Sequence, residues 1–163
     1  MRKILNEQMK LGEKDVSQIK INTKSRDDIP QILLGLQHLY QDKQVIGKIF
    51  EVLQQIIPAS VDTKNGRPGM DLWKAFVLIM LRTGLNCDYD RLEELANNHA
   101  TIREMLGHGI FDEGMYTART IRNNFCLFTP EILAEINSII VESGYQIIKK
   151  KVKTPVRVVT HSL

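Results

Sequence analysis

The sequence predicts an all-α fold: a helical hairpin packed on a helix-turn-helix-like bundle, then a long C-terminal helix and a flexible basic tail. Apolar residues recur at helical spacing, and helix-start and helix-stop signals separate these segments. No convincing strand pattern occurs before residue 155, and residues 156–159 have strand propensity but no visible partner. We divide the 163 residues into a polar N-terminal arm (1–26), a helical domain (27–149) and a basic tail (150–163).

The first two helices are predicted to form an antiparallel hairpin. One spans about 29–40, where residues 25–28 give a start signal and Pro30 fits the first helical turn. The other spans about 43–57 and carries a continuous apolar stripe that ends before Pro58.

A third helix is predicted over residues 72–83, after a turn-rich loop at 59–70. Apolar residues surround this helix almost completely, which is typical of a helix at the centre of a bundle. We expect Asp71 to cap its start and Gly84 to end it.

Two shorter helices are predicted next, at about 89–97 and 101–106, the first capped by Asp88 and the second stopped by Gly107. Acidic residues cluster at the start of the first one. Paired carboxylates can bind a metal ion, but acids in a first helical turn also complement the helix dipole, and we favour this structural interpretation. The residues of the cluster are Asp88, Asp90, Glu93 and Glu94.

The helix predicted over residues 116–128 carries the clearest functional signal. At 100° per residue, one side is apolar and the opposite face is polar and free of acids. Arginine can contact guanine, asparagine adenine, and threonine a phosphate or a thymine methyl group, so the helix has the composition of a major-groove recognition helix. The alternative is a solvated amphipathic helix. The predicted core residues are Ala118, Ile121, Phe125 and Phe128, and the predicted DNA contacts are Arg119, Thr120 and Asn123, with Arg122 and Asn124 at the edges of the face.

A long final helix is predicted from Pro130 to about Lys149. Thr129 supplies a capping hydroxyl, Pro130 fits the first helical position and Glu131 places an acid in the first turn. The predicted buried side consists of Ile132, Leu133, Ile136, Ile139, Ile140, Ile147 and Ile148.

The charge distribution is more informative than the net charge of +3. The segment 149–163 contains five basic residues and no acid, so residues 1–148 hold 17 bases against 19 acids, a net of −2. DNA contacts are therefore expected from local patches and the tail, unless the tail is only a solvated end. Further predicted DNA contacts are Arg67 and Lys74, which flank the start of the third helix, and Lys149, Lys150 and Lys151. Arg67 has a structural alternative, which is pairing with Asp71.

Several classes of site find no support in the sequence. Cys87 and Cys126 lack a Cys-x-x-Cys spacing and are interpreted as reduced cytosolic thiols. The four histidines lack metal-ligand spacing, and no nucleophile motif or phosphate-binding glycine loop is present. The most apolar run, 75–81, is far shorter than the roughly 20 residues that span a bilayer. We expect no cofactor, no metal and no membrane partner.

Motifs in a fixed order resemble one family. They are Gly66-Arg67-Pro68, Asp71 with the apolar helix, Asp90-Arg91-Leu92-Glu93-Glu94-Leu95, and Arg103-x-x-Leu106-Gly107. The opening Met1–Asn6 and the segment Asn97–Gly109 add to the likeness. Over about residues 1–150 the chain resembles the N-terminal domain of bacterial insertion-sequence transposases of the InsH type.

The resemblance implies a bacterial, nucleoid-associated protein whose helical domain binds the terminal inverted repeats of the element. In this family an RNase H-like domain with an Asp-Asp-Glu triad and divalent metal follows, so Mg²⁺ is expected only there. The segment 153–163 contains no acid, and we expect the catalytic domain to be missing through truncation, frameshift or decay. Residues 150–163 would be its stub or out-of-frame residues.

The sequence therefore predicts DNA binding at transposon ends without catalysis. The alternative is a helical interaction module, with the stripes 45–57 and 132–148 as a dimer seam. Such a module would form a homodimer or inhibit a full-length transposase by pairing with it. A complete small enzyme is the least favoured interpretation.

Overall fold

The computed structural model describes residues 3–5, 12–57 and 69–153, with side chains up to residue 144. These residues form seven α-helices and one short 3-10 helix at Val16–Gln18, and no strand occurs among them, which confirms the all-α prediction. The helices are α1 Ile29–Gln41, α2 Lys43–Gln54, α3 Leu72–Leu85, α4 Tyr89–Asn98, α5 Ala100–Met105, α6 Ala118–Phe125 and α7 Pro130–Lys153.

The helix α3 lies at the centre of the bundle, as predicted. Eight of its 14 residues are buried, and they lie on all sides of the helix. Trp73 connects three elements: its ring lies 5.3 Å from that of Tyr40 and 6.4 Å from that of Phe50, centroid to centroid. Its indole Nε1 donates a 3.2 Å hydrogen bond to the carbonyl oxygen of Met105. The hairpin and α5 are thereby fixed to one side chain.

Both ends of α3 differ in detail from the prediction. Asp71 occupies the N-cap position, but its side chain makes no capping hydrogen bond. The carbonyl oxygens of Lys3 and Ile4 instead accept 2.8 Å bonds from the amides of Leu72 and Trp73. These amides have no partner inside the helix, so a distant backbone segment satisfies them.

The prediction that Gly84 ends α3 was wrong. The helix continues to Leu85 and ends at Asn86, which adopts the left-handed conformation with φ 50°. Asparagine tolerates this conformation better than most residues. Gly84 lies within the helix because α1 approaches it closely: a Cβ atom there would be 2.6 Å from Ile32 Cδ1.

The hairpin and α7 pack together at one side of the bundle. Asp42 separates α1 from α2, and its carboxylate accepts bonds from the amides of Gln44 and Val45. α2 ends at Gln54, before the predicted end at residue 57. α7 contacts α2 and buries Ile136, and its remaining predicted apolar residues with described side chains are half-buried: Ile132, Leu133, Ile139 and Ile140. Ile147 and Ile148 lie beyond the described side chains.

The two ends of the helical domain also differ from the predicted boundaries. Within the arm assigned to residues 1–26, Val16 and Ile19 are buried in the core. Gln37 Nε2 on α1 donates 2.9 Å bonds to the carbonyl oxygens of both. At the other end, α7 continues to Lys153, so the start of the predicted tail is helical.

Candidate nucleic-acid interface

The helix predicted to read DNA, α6, is shorter than the predicted span of 116–128. Thr117 occupies the N-cap position, and its hydroxyl oxygen accepts a 3.1 Å bond from the amide of Thr120. Residues 126–128 form a turn rather than a further helical turn. The predicted core residues Ile121 and Phe128 are buried, and Ala118 and Phe125 are half-buried.

Four of the five candidate side chains on α6 are exposed to solvent. Arg119, Thr120, Arg122 and Asn123 cover the outer face of the helix. Within the part of the chain that the structure describes, Arg119 and Arg122 have no ion-pair partner. The face is therefore basic and able to donate hydrogen bonds.

Asn124 does not belong to this face. Only 7% of it is exposed, and its Nδ2 donates a 2.8 Å hydrogen bond to the carbonyl oxygen of Thr120. The reason is geometric: Asn124 follows buried Ile121 at an i,i+3 spacing, so both occupy the same side of the helix. The prediction that Asn124 lies at the edge of the exposed face was wrong.

The start of α6 is anchored by two side chains of α4. Glu93 Oε2 accepts a 2.7 Å bond from the amide of Ala118. Asn97 pairs with the backbone of Tyr116, accepting from its amide at 2.7 Å and donating to its carbonyl oxygen at 2.8 Å. Because these bonds join two helices, they fix the direction in which α6 presents its outer face. Glu93, a member of the predicted acidic cluster, is half-buried here.

The loop before α6 is held by a hydrogen-bonded row of three side chains. His108 Nδ1 lies 2.7 Å from Asp112 Oδ2, and His108 Nε2 lies 2.5 Å from the hydroxyl of Tyr116. Burial lowers the pKa of His108 and raises the pKa of Tyr116, while the bond to Asp112 opposes the shift of His108. A neutral imidazole that donates through Nδ1–H to Asp112 can accept at Nε2 a hydrogen bond from the Tyr116 hydroxyl.

Lys74, predicted from its position near the start of α3, lies close to α6. It is half-buried, and together with Thr120, His108 and Tyr116 it lines a cavity of about 280 Å³. The structure thus brings Lys74 and Thr120 to one recess between α3 and α6. Arg67 lies outside the described residues. Lys149, Lys150 and Lys151 lie on α7, but their side chains lie outside the described ones.

Two residues that sequence reasoning missed adjoin the exposed face of α6. The guanidinium carbon of Arg82 lies 4.3 Å from the centroid of the Tyr89 ring, and that of Arg122 lies 4.9 Å from the same centroid. Arg82 is in the last turn of α3 and Tyr89 is the first residue of α4. Arg82 and Tyr89 are close together in the sequence. The approach of Arg122 to the Tyr89 ring, however, depends on the tertiary packing of α6.

Two further observations concern groups that could hold a metal ion and helices that could span a membrane. The described residues contain no group of three or more His, Cys, Asp or Glu side chains placed to hold a metal ion. No single helix among them is long and apolar enough to cross a membrane. One pair, Ala118–Phe125 with Pro130–Gly144, meets those limits only when joined across an 85° bend.

Comparison with protein-family models, with curated proteins and with solved structures finds no significant match to this chain. The likeness to InsH-type transposases therefore depends on the motifs quoted above.

Proposed function

We propose that this chain binds double-stranded DNA through the outer face of α6 and that its specific target is the terminal inverted repeat of an insertion sequence. The observation that supports this most is the exposed, acid-free surface of Arg119, Thr120, Arg122 and Asn123 on one short helix. Arginine and asparagine can form paired hydrogen bonds with guanine and adenine edges in the major groove.

The anchoring of α6 supports the same proposal. Sequence-specific contacts require side chains held on a rigid element, because a mobile helix loses its register on the bases. Glu93 and Asn97 hold the start of α6 against α4. The hydrogen bonds of His108 to Asp112 and Tyr116 hold the preceding loop. The choice of terminal inverted repeats as the target comes from the resemblance to InsH-type transposases. We also propose that the chain on its own binds DNA without cutting it.

The proposal is tested by titrating the purified chain into two labelled duplexes, one carrying the element's end and one of shuffled sequence, at two salt concentrations. Binding should be tighter to the element's end and should weaken steeply with salt, since each neutralised phosphate releases counterions. No binding to either duplex at low salt contradicts the DNA proposal.

A second candidate function is a protein-interaction module, as a homodimer or as a partner of a full-length transposase. The predicted dimer seam is largely occupied within the chain, because the stripes of α2 and α7 pack on each other. A different surface favours this candidate: Ile110, Phe111 and Met115 lie in one loop and are 81%, 72% and 67% exposed. A concentration-dependent increase in mass that Phe111→Ser abolishes would support it.

A further inference from the structure

One aromatic ring near α6 has two arginines on it. Arg82 comes from α3, Arg122 from α6, and their guanidinium carbons lie 4.3 Å and 4.9 Å from the centroid of Tyr89. The ring is itself held in place by Phe125, whose centroid is 5.6 Å away. A cation at this distance from an aromatic face is attracted by the ring, so Tyr89 orients both side chains.

The backbone around Arg82 fixes this arrangement. Its carbonyl oxygen accepts hydrogen bonds from the amides of Asn86 and Cys87 at the left-handed end of α3. Asp88 then caps α4 with its carboxylate, which accepts a 2.8 Å bond from the amide of Arg91. This short turn delivers Tyr89 directly beside the last turn of α3.

The guanidinium groups of Arg82 and Arg122 both lie near the ring of Tyr89. Neither has an ion-pair partner in the described part of the chain. In addition, Arg82 Nε is buried and has no hydrogen-bond acceptor there. Arg91 provides a contrast, since its guanidinium is 3.1 Å from Glu94 Oε2. Two guanidinium groups within 5 Å of one ring centroid, neither of them in an ion pair with a described residue, favour an anion as their partner.

We propose that Arg82 and Arg122 form a phosphate-binding pair that Tyr89 positions, and that a backbone phosphate of the DNA bound by α6 occupies it. The proposal rests on the proposed function for the source of the phosphate. Arginine suits this role because its planar group donates two parallel hydrogen bonds to phosphate oxygens. In this division of roles Arg119 and Asn123 contact bases, while Arg82 and Arg122 set the position of the helix on the backbone.

The first test uses nuclear magnetic resonance of the arginine Nε–H groups in the full chain, with inorganic pyrophosphate as the probe. The resonances of Arg82 and Arg122 should shift together, and that of Arg91 should not. This test does not depend on DNA binding. If pyrophosphate leaves the resonances of Arg82 and Arg122 unshifted, no phosphate site exists there.

The second test measures DNA affinity of the single variants Arg82→Gln and Arg122→Gln across a range of salt concentrations. Each should weaken element-end and shuffled duplexes alike, on the order of tenfold, and lower the slope of log affinity against log salt by about one. Arg91→Gln is the matched control, because it removes an equal charge whose partner is Glu94. If the wild type binds DNA and both variants keep its salt slope, this inference fails while the proposed function stands.

Tyr89 is tested as a positioning residue. Tyr89→Phe keeps the ring and should bind DNA like the wild type, whereas Tyr89→Leu fills the space against Phe125 without a ring and should reproduce the loss of Arg82→Gln. Thermal melting identifies a variant that fails to fold. If Tyr89→Leu fails to fold, Arg122→Gln, on an exposed residue, still tests whether the phosphate-binding pair exists. Equal affinity and equal salt slope for Tyr89→Leu and Tyr89→Phe would remove Tyr89 from the site.

Discussion

At the scale of single residues, the proposed function assigns the base contacts to Arg119 and Asn123. Both are exposed on α6. We expect Arg119→Ala or Asn123→Ala to cost about 1–3 kcal/mol at the specific site and to relax preference there. Lys150→Ala, in the basic C-terminal stretch, should instead weaken all sequences alike. The ratio of specific to shuffled affinity, measured by fluorescence anisotropy, checks this. An unchanged ratio in both α6 variants would mean that another helix reads the bases.

His108 gives the fold a dependence on pH. Burial is the largest effect on its pKa and lowers it from the usual 6.5. The unfolded chain then binds a proton at a pH where the folded chain does not, so the free energy of unfolding should decrease as the pH falls below about 6.5 and should not depend on this group above it. Urea unfolding of the wild type and of His108→Gln at several pH values measures the effect. The difference in free energy of unfolding between the wild type and His108→Gln should become smaller towards low pH. A difference that becomes larger would show that the imidazole is charged and paired with Asp112.

The residues of the candidate site were only partly predictable from sequence. A helical wheel identified Arg119, Thr120 and Asn123 correctly as exposed, because it depends only on local geometry. It misplaced Asn124 because a polar residue near the boundary of a face is decided by tertiary packing, here by its bond to Thr120. The roles of Arg82 and Tyr89 were not predicted because both depend on Arg122, which lies on a helix much later in the chain.

At the scale of elements, α3 determines whether the bundle forms. Phe76 and Leu78 are fully buried on it, and we expect Phe76→Ala to cost about 3–5 kcal/mol and Leu78→Ala about 2–5 kcal/mol, since each leaves a cavity. Val141→Ala, on a residue that is 45% exposed, is the matched apolar control and should change stability little. Thermal melting measures all three. Melting temperatures for Phe76→Ala equal to that of the control would contradict the central position of α3.

The existence of most helices followed from their apolar spacing, but several of their ends did not. Side-chain caps close to the helix in sequence, such as Asp88 and Thr129, were predictable and are confirmed by their bonds to Arg91 and Ile132 amides. The start of α3 was not, because its amides are satisfied by the carbonyl groups of Lys3 and Ile4, which no local pattern connects to it. The later start of α6 was not predictable either, because hydrogen bonds to Asn97 hold Tyr116 outside the helix.

At the scale of the whole molecule, we expect the chain to bind DNA without cutting or joining it, with Mg²⁺ or Mn²⁺ present or absent. Two-metal phosphoryl transfer needs several carboxylates that converge on the ions. Here Asp42, Asp88 and Glu93 each accept hydrogen bonds from amides at the start of a different helix. A supercoiled plasmid that carries the element's ends should remain intact on a gel. Metal-dependent nicking that Asp88→Asn or Glu94→Gln abolishes would place catalysis in this chain.

The bonds from the start of α3 to Lys3 and Ile4 have a consequence for synthesis on the ribosome. Leu72 and Trp73, which donate these bonds, are added to the chain long after the two residues that accept them. At the usual rate of chain elongation the partners are made roughly 3 to 14 s apart. During that interval Lys3 and Ile4 have no α3 to bind, while the hairpin α1–α2, whose contacts are local, is free to form. Lys3 and Ile4 can therefore take their places in the bundle only after the start of α3 has been made.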